Sequence, residues 1–117
     1  MAVNHKITIT IPTTVNVNQV ASPEIVRKWS NQAKRVFADL FGGFTSHNAI
    51  GGWMSQEKGL VEENVIVVSS FTNASGLNRL SEVKAFASQM ARAMTQEAVA
   101  VEVDQKMVFV PPLGLAA

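Results

Sequence analysis

The run Val65-Ile66-Val67-Val68 lies in a segment that otherwise alternates, and it is apolar on both faces of a strand. Successive strand residues point to opposite sides, so this run needs packing above and below. Only a strand inside a sheet meets that demand. A chain of 117 residues builds one modest core, so each face of this strand must find a cover.

Those segments are readable. Ile7, Ile9 and Ile11 alternate with Lys6, Thr8 and Thr10 as a half-buried strand, which Pro12 ends. Thr13 to Ala21 is polar and irregular. Ser22-Pro23-Glu24 is a helix start, with a serine cap, proline at the first helical position and an acid at the positive end of the dipole. Ile25, Val26, Trp29, Ala33, Val36, Phe37, Leu40 and Phe41 form its apolar stripe, and Gly42-Gly43 stops it. A hairpin over 44–56 and 60–71 follows, with Glu57-Lys58-Gly59 as a three-residue turn. Pairing Gln56 with Leu60 sets Trp53 opposite Glu63, Ala49 opposite Val67 and His47 opposite Ser69, and Gly51-Gly52 is expected to form a bulge. A second helix is expected over 77–96 on the stripe Leu80, Val83, Phe86, Ala87, Met90 and Met94. Val99, Val101 and Val103 make another strand. Asp104-Gln105 turns into a short edge strand from Met107 to Val110, and Pro111-Pro112 ends the ordered part.

The order β-α-β-β-α-β with an added strand specifies an α+β, ferredoxin-like sandwich. One antiparallel sheet carries two helices on one face, and the first and third strands are central. The chain reads as a single domain, 1–117, with its core over about 5–110 and 111–117 as a flexible tail. The second face of the sheet has no cover of its own. Hydrophobic residues make up 47% of the chain and charged residues only 16%, so the simplest cover is another copy. A homo-oligomer, in its simplest form a dimer through the open sheet face, is expected.

Phe41-Gly42-Gly43, then Thr45, Gly52-Trp53, Glu63 before an apolar strand, and Gln96-Glu97-x-Val99 form an ordered pattern. It resembles a family of small ferredoxin-like α+β proteins of unassigned function, over roughly 37–103. The resemblance implies the same fold and carries no activity.

Chemical motifs are few. A phosphate cradle at Gly42-Gly43-x-Thr45 is disfavoured, because the glycines leave a helix C-terminus, where the dipole is negative. His5 and His47 are the only histidines and there is no cysteine, so neither a metal set nor a thiol nucleophile is expected. A Ser69–His47 contact would lack an orienting acid. Glu62 and Glu63 are strand neighbours that face opposite ways, which excludes a paired-acid hydrolase. Trp53 is more promising: beside two glycines its ring is open to a flat base or sugar, with Glu63 able to take a ligand hydroxyl. Arg35, with Arg27, Lys28 and Lys34 on the first helix, offers cationic contacts, and Thr45 a hydroxyl at the helix exit. The candidate ligand-binding residues are therefore Trp53, Glu63, His47, Thr45 and Arg35, with no catalytic residue and no cofactor.

Net charge is +1, with 10 basic and 9 acidic residues, and gives no footprint for nucleic acid. The opening residues resemble neither a signal peptide nor a membrane span, so a cytoplasmic protein is expected, and a viral one reads the same way. The reading favoured by this sequence is a non-enzymatic, oligomeric binding protein of phage or bacterial type. It would sequester a small anionic or nucleotide-like ligand or block a partner protein. The alternatives are a small enzyme with its pocket on the 44–71 hairpin and a structural assembly protein.

Overall fold

Ser22 begins the first helix as its sequence requires: the backbone N–H of Ile25 donates to Ser22 Oγ at 3.2 Å, with Pro23 in the first turn. Helix α1 (Pro23–Phe41) ends where Gly42 takes the left-handed conformation, φ 88°, and donates its N–H to the carbonyl of Ala38. The computed structural model describes residues 3–15 and 19–114. The strands are β1 (His5–Pro12), the two-residue β2 (Thr14–Val15) and β3 (Gln19–Val20), β4 (Thr45–Ser55), β5 (Gly59–Thr72), β6 (Val99–Val103) and β7 (Lys106–Val110). A 3-10 turn over Gly76–Arg79 leads into helix α2 (Leu80–Ala93).

The main sheet runs β4-β5-β1-β6-β7 and is antiparallel throughout. This is the ferredoxin-like α+β order, with an extra strand beside β6. Strands β1 and β5 are interior, which explains the doubly apolar Val65–Val68 run. Ile7, Ile9 and Ile11 pair with Ser70, Val68 and Ile66, and these rungs face the helices. Phe37, Val83, Ala87, Met90 and Met94 close over them with no exposure. Val65 and Val67 turn the other way by the strand period.

Two sequence expectations are corrected here. The hairpin register differs by two: Ser55 pairs with Gly59, Trp53 with Val61, Gly51 with Glu63, Ala49 with Val65 and His47 with Val67. The cause is Ser55, whose hydroxyl accepts the N–H groups of Glu57 and Lys58, both at 3.2 Å. That contact starts the turn one residue earlier, and Gly59 occupies the left-handed position at φ 74° as the first residue of β5. The register is also unbroken from Thr45 to Ser55, so Gly51-Gly52 forms no bulge. A shift of two preserves faces while replacing every rung partner.

The second helix is shorter than its stripe, because a Schellman turn closes it. Gln96 N–H donates to the Ala91 carbonyl at 2.8 Å, Thr95 N–H donates to that of Arg92, and Thr95 sits at φ 52°. After Pro111-Pro112 the chain runs back along α2: Leu113 N–H donates to the Ser88 carbonyl at 3.0 Å, and Arg92 donates to the Leu113 carbonyl at 3.3 Å. Residues 115–117 of the expected tail, and 16–18 of the polar stretch before α1, lie outside the described residues.

Asp104 ties the β6–β7 turn to the start of β1. Its carboxylate accepts from Lys6 N–H at 2.8 Å and meets His5 Nδ1 at 2.9 Å, while its own N–H donates to the Lys6 carbonyl. His5, and then the Lys6 N–H, hold this carboxyl below its usual value of 3.8. A depressed carboxyl contributes stability above its unfolded value and loses it as pH falls through the folded one. Asp104→Asn is therefore expected to melt slightly below wild type at pH 7, and the gap should close on acidification below about pH 4. Melting curves across pH read this directly; a gap that persists at low pH would contradict it.

Candidate functional site

Beyond the Pro12–Val65 rung, β5 loses its β1 neighbour, and β4 and β5 continue as a two-stranded arm. The β2–β3 ladder, set by the rungs Thr14–Val20 and Val15–Gln19, lies against the base of this arm. Thr13 Oγ1 donates to the Asn64 carbonyl, and Ala21 N–H donates to the Thr13 carbonyl at 2.8 Å. From the other side the Schellman turn delivers Gln96. These segments enclose a cleft of about 350 Å³ bordered by Thr14, Val20, Trp53, Val61, Glu63 and Gln96.

Its polar groups are joined in a chain. Gln96 Nε2 donates to the Thr14 carbonyl at 2.7 Å and lies 3.4 Å from Thr14 Oγ1. Thr14 Oγ1 in turn donates to Glu63 Oε2 at 3.1 Å. The rung opposite Glu63 is Gly51, so no side chain crosses the ribbon to screen the carboxylate. Trp53 is one rung further out on the same face and is half exposed, at 52%. An indole face beside a carboxylate and an amide suits a ligand with a flat apolar part and a polar or cationic end.

The structure thus brings Trp53 and Glu63 to one cleft, as diagonal neighbours rather than as a rung. The other sequence candidates lie elsewhere. His47 pairs with Val67, not Ser69; its ring is exposed and has no hydrogen-bond partner among the described residues. Thr45 is eight residues from Trp53, about 27 Å along an extended strand, and borders a separate depression with Phe41, Phe44 and Phe71. Arg35 is on α1, where it is ion-paired with Asp39 at 3.1 Å. Thr14 and Gln96 join the site without having been singled out as ligand contacts. Gln96 carried a signal in the Gln96-Glu97-x-Val99 pattern, whereas Thr14 sits in a stretch with no periodicity.

A wider depression of about 580 Å³ lies between the end of α2 and residues 112–114 and shares Gln96. Its one cation, Arg92, is committed to the Leu113 carbonyl. Among the described residues no three histidines, aspartates or glutamates gather as a metal set, and no helix is long and apolar enough to cross a membrane.

The open face of the sheet carries exposed Phe71, Met107 and Phe109, which the strand pairing puts opposite the helices. The arm adds Ile50, Met54 and Leu60 on its other side, each more than 60% exposed. A two-stranded ribbon is marginal alone, and apolar residues on both its sides call for a cover.

No family model matches this chain, and no curated protein matches it. Solved structures share its fold. A phage SAM lyase, solved in complex with S-methyl-5'-thioadenosine, superposes with a TM-score of 0.66 at 15% identity, over 99% of this chain and 95% of that one. CutA from Xylella fastidiosa gives 0.53 at 16% identity, over 87% and 82%. A Bacillus cereus protein related to NIF3 gives 0.54 at 17% identity, over 95% of this chain and 28% of that one. At these identities the likeness shows the small α+β fold alone.

Proposed function

We propose that this chain is a homo-oligomeric S-adenosylmethionine lyase that binds its substrate in the cleft of Thr14, Glu63 and Gln96. The observation that carries the reading is the convergence of three distant segments on that cleft through one hydrogen-bonded chain. The likeness to a phage SAM lyase over nearly the whole of both chains supplies the substrate class. S-adenosylmethionine has the parts the cleft accommodates. Its adenine can lie on the half-exposed Trp53 ring, and its cationic end can meet the Glu63 carboxylate. As the bond between sulfur and the amino-acid chain breaks, its electron pair goes to sulfur. An oxygen of the substrate's own carboxylate bonds to the carbon that sulfur leaves, closing a lactone that keeps the ammonium charge. The sulfonium then leaves as neutral S-methyl-5'-thioadenosine.

This reading takes up the hairpin-pocket alternative of the sequence in place of a passive binder. It also replaces the anionic ligand, because Glu62 and Glu63 both border the cleft. Incubating the purified protein with S-adenosylmethionine and separating the products by chromatography tests it. Accumulating S-methyl-5'-thioadenosine supports a lyase. Tight binding without turnover would return the protein to the sequestering role.

Self-association through the open face and the arm belongs to the same reading, since a stable interface needs about 800 Å² from each partner and these are the apolar surfaces on offer. Phe71→Glu combined with Phe109→Glu should give a folded monomer in native mass spectrometry at micromolar concentration, where the wild type is oligomeric. A monomeric wild type would refute the assembly.

A further inference from the structure

Among the described residues, the lining of the cleft contains two carboxylates, Glu62 and Glu63, and no lysine, arginine or histidine. The hydrogen-bond inventory sharpens this. A glutamine amide nitrogen only donates, a carboxylate only accepts, and a threonine hydroxyl can do one of each. Here Gln96 Nε2 is spent within the protein, at 2.7 Å to the Thr14 carbonyl and 3.4 Å to both the Thr14 hydroxyl and the Met94 carbonyl. The hydroxyl proton is spent on Glu63 Oε2 at 3.1 Å. Each donor in the chain is used, while Glu63 Oε1 and Gln96 Oε1 have no partner among the described residues. The hydrogen-bonded chain therefore offers a ligand acceptors and negative charge, and the neutral donors left in the lining are the Trp53 indole and the Asn64 amide.

Thr14 is well held for this task. It pairs with Val20 in the β2–β3 ladder, and its neighbour Thr13 bonds the Asn64 carbonyl and receives the Ala21 N–H. Gln96 is fixed from its own side by the Schellman turn. Thr95 adopts φ 52° there, a conformation that a β-branched residue takes only at a cost.

We propose that Thr14 is the positioning residue of this site: it locks Glu63 and Gln96 with one acceptor oxygen each left for the ligand, and so selects a cationic head, sulfonium or ammonium, over its neutral counterpart. The inference rests on the cleft being the S-adenosylmethionine site. S-adenosylmethionine and S-methyl-5'-thioadenosine are the natural probe pair, because they share the nucleoside and differ in charge.

The test is calorimetric titration of both compounds into wild type, Thr14→Val and Thr14→Ser, each checked by melting and by oligomer mass. Valine keeps the shape and removes the hydroxyl. It should weaken S-adenosylmethionine about tenfold and change S-methyl-5'-thioadenosine less than about twofold, since only a charge-assisted contact is lost. Serine, which keeps the hydroxyl, should restore wild-type selectivity. A purely structural Thr14 would weaken both ligands together in the valine variant. That result, or unchanged binding of both, would overturn the assignment while leaving the site itself standing. A folded wild type that binds neither compound would overturn the site and this inference with it.

Discussion

Phe37→Ala is expected to remove about 3–5 kcal/mol of stability, the range for emptying a fully buried aromatic position. Phe37 has no exposed surface and meets Phe41 edge-on with ring centroids 5.6 Å apart. It stands where α1 covers the Ile7–Ile9–Ile11 row and Val68, so no neighbouring side chain can swing in from solvent to refill the site. Small domains hold only about 5–15 kcal/mol in total, and the melting temperature should fall by about 10 °C or more. Phe37→Leu keeps most of the volume and should cost about 1 kcal/mol. Equal losses for the two variants in urea titrations would mean that α1 is not seated on the sheet in this way.

The second large effect is chemical. Glu63→Gln keeps the shape and the Thr14 contact, because an amide oxygen still accepts from the hydroxyl. What it removes is the charge. For a cationic substrate the loss of one charge-assisted contact corresponds to a factor of about 10 to 100 in kcat/KM, while neutral S-methyl-5'-thioadenosine should bind nearly as before. Replacing Glu62 instead should do less: it borders the cleft but takes no part in the Thr14–Gln96 hydrogen-bonded chain. A Glu63→Gln variant with full activity would remove this carboxylate from the mechanism.

The physics of these predictions was unevenly legible. The doubly apolar Val65–Val68 run demanded an interior strand, and Ser22, Pro23 and Gly42 fixed the ends of α1, because each signal is local. The hairpin register was not, since two turns compete within five residues. The Ser55 hydroxyl decides between them by taking two backbone N–H groups, and no periodicity records that choice. Trp53 and Glu63 were visible as a pair because the strand period puts them on one face whichever register wins. Gln96 was harder to place. Its entry to the cleft depends on Thr95 adopting a left-handed conformation that its side chain disfavours, where a helical stripe would simply continue. Thr14 was hidden for another reason: a polar stretch gains its geometry only from partners brought by the fold, here the Asn64 carbonyl, Glu63 and Gln96.

The most direct measurement is a crystal structure of the oligomer grown with S-methyl-5'-thioadenosine. The expected result is the nucleoside in the cleft, its base against Trp53 and its polar groups within hydrogen-bond distance of Glu63 or Gln96. Density for it in the Phe41–Phe71 depression, or along α2 beneath residues 112–114, with the Glu63 cleft empty, would contradict the proposal.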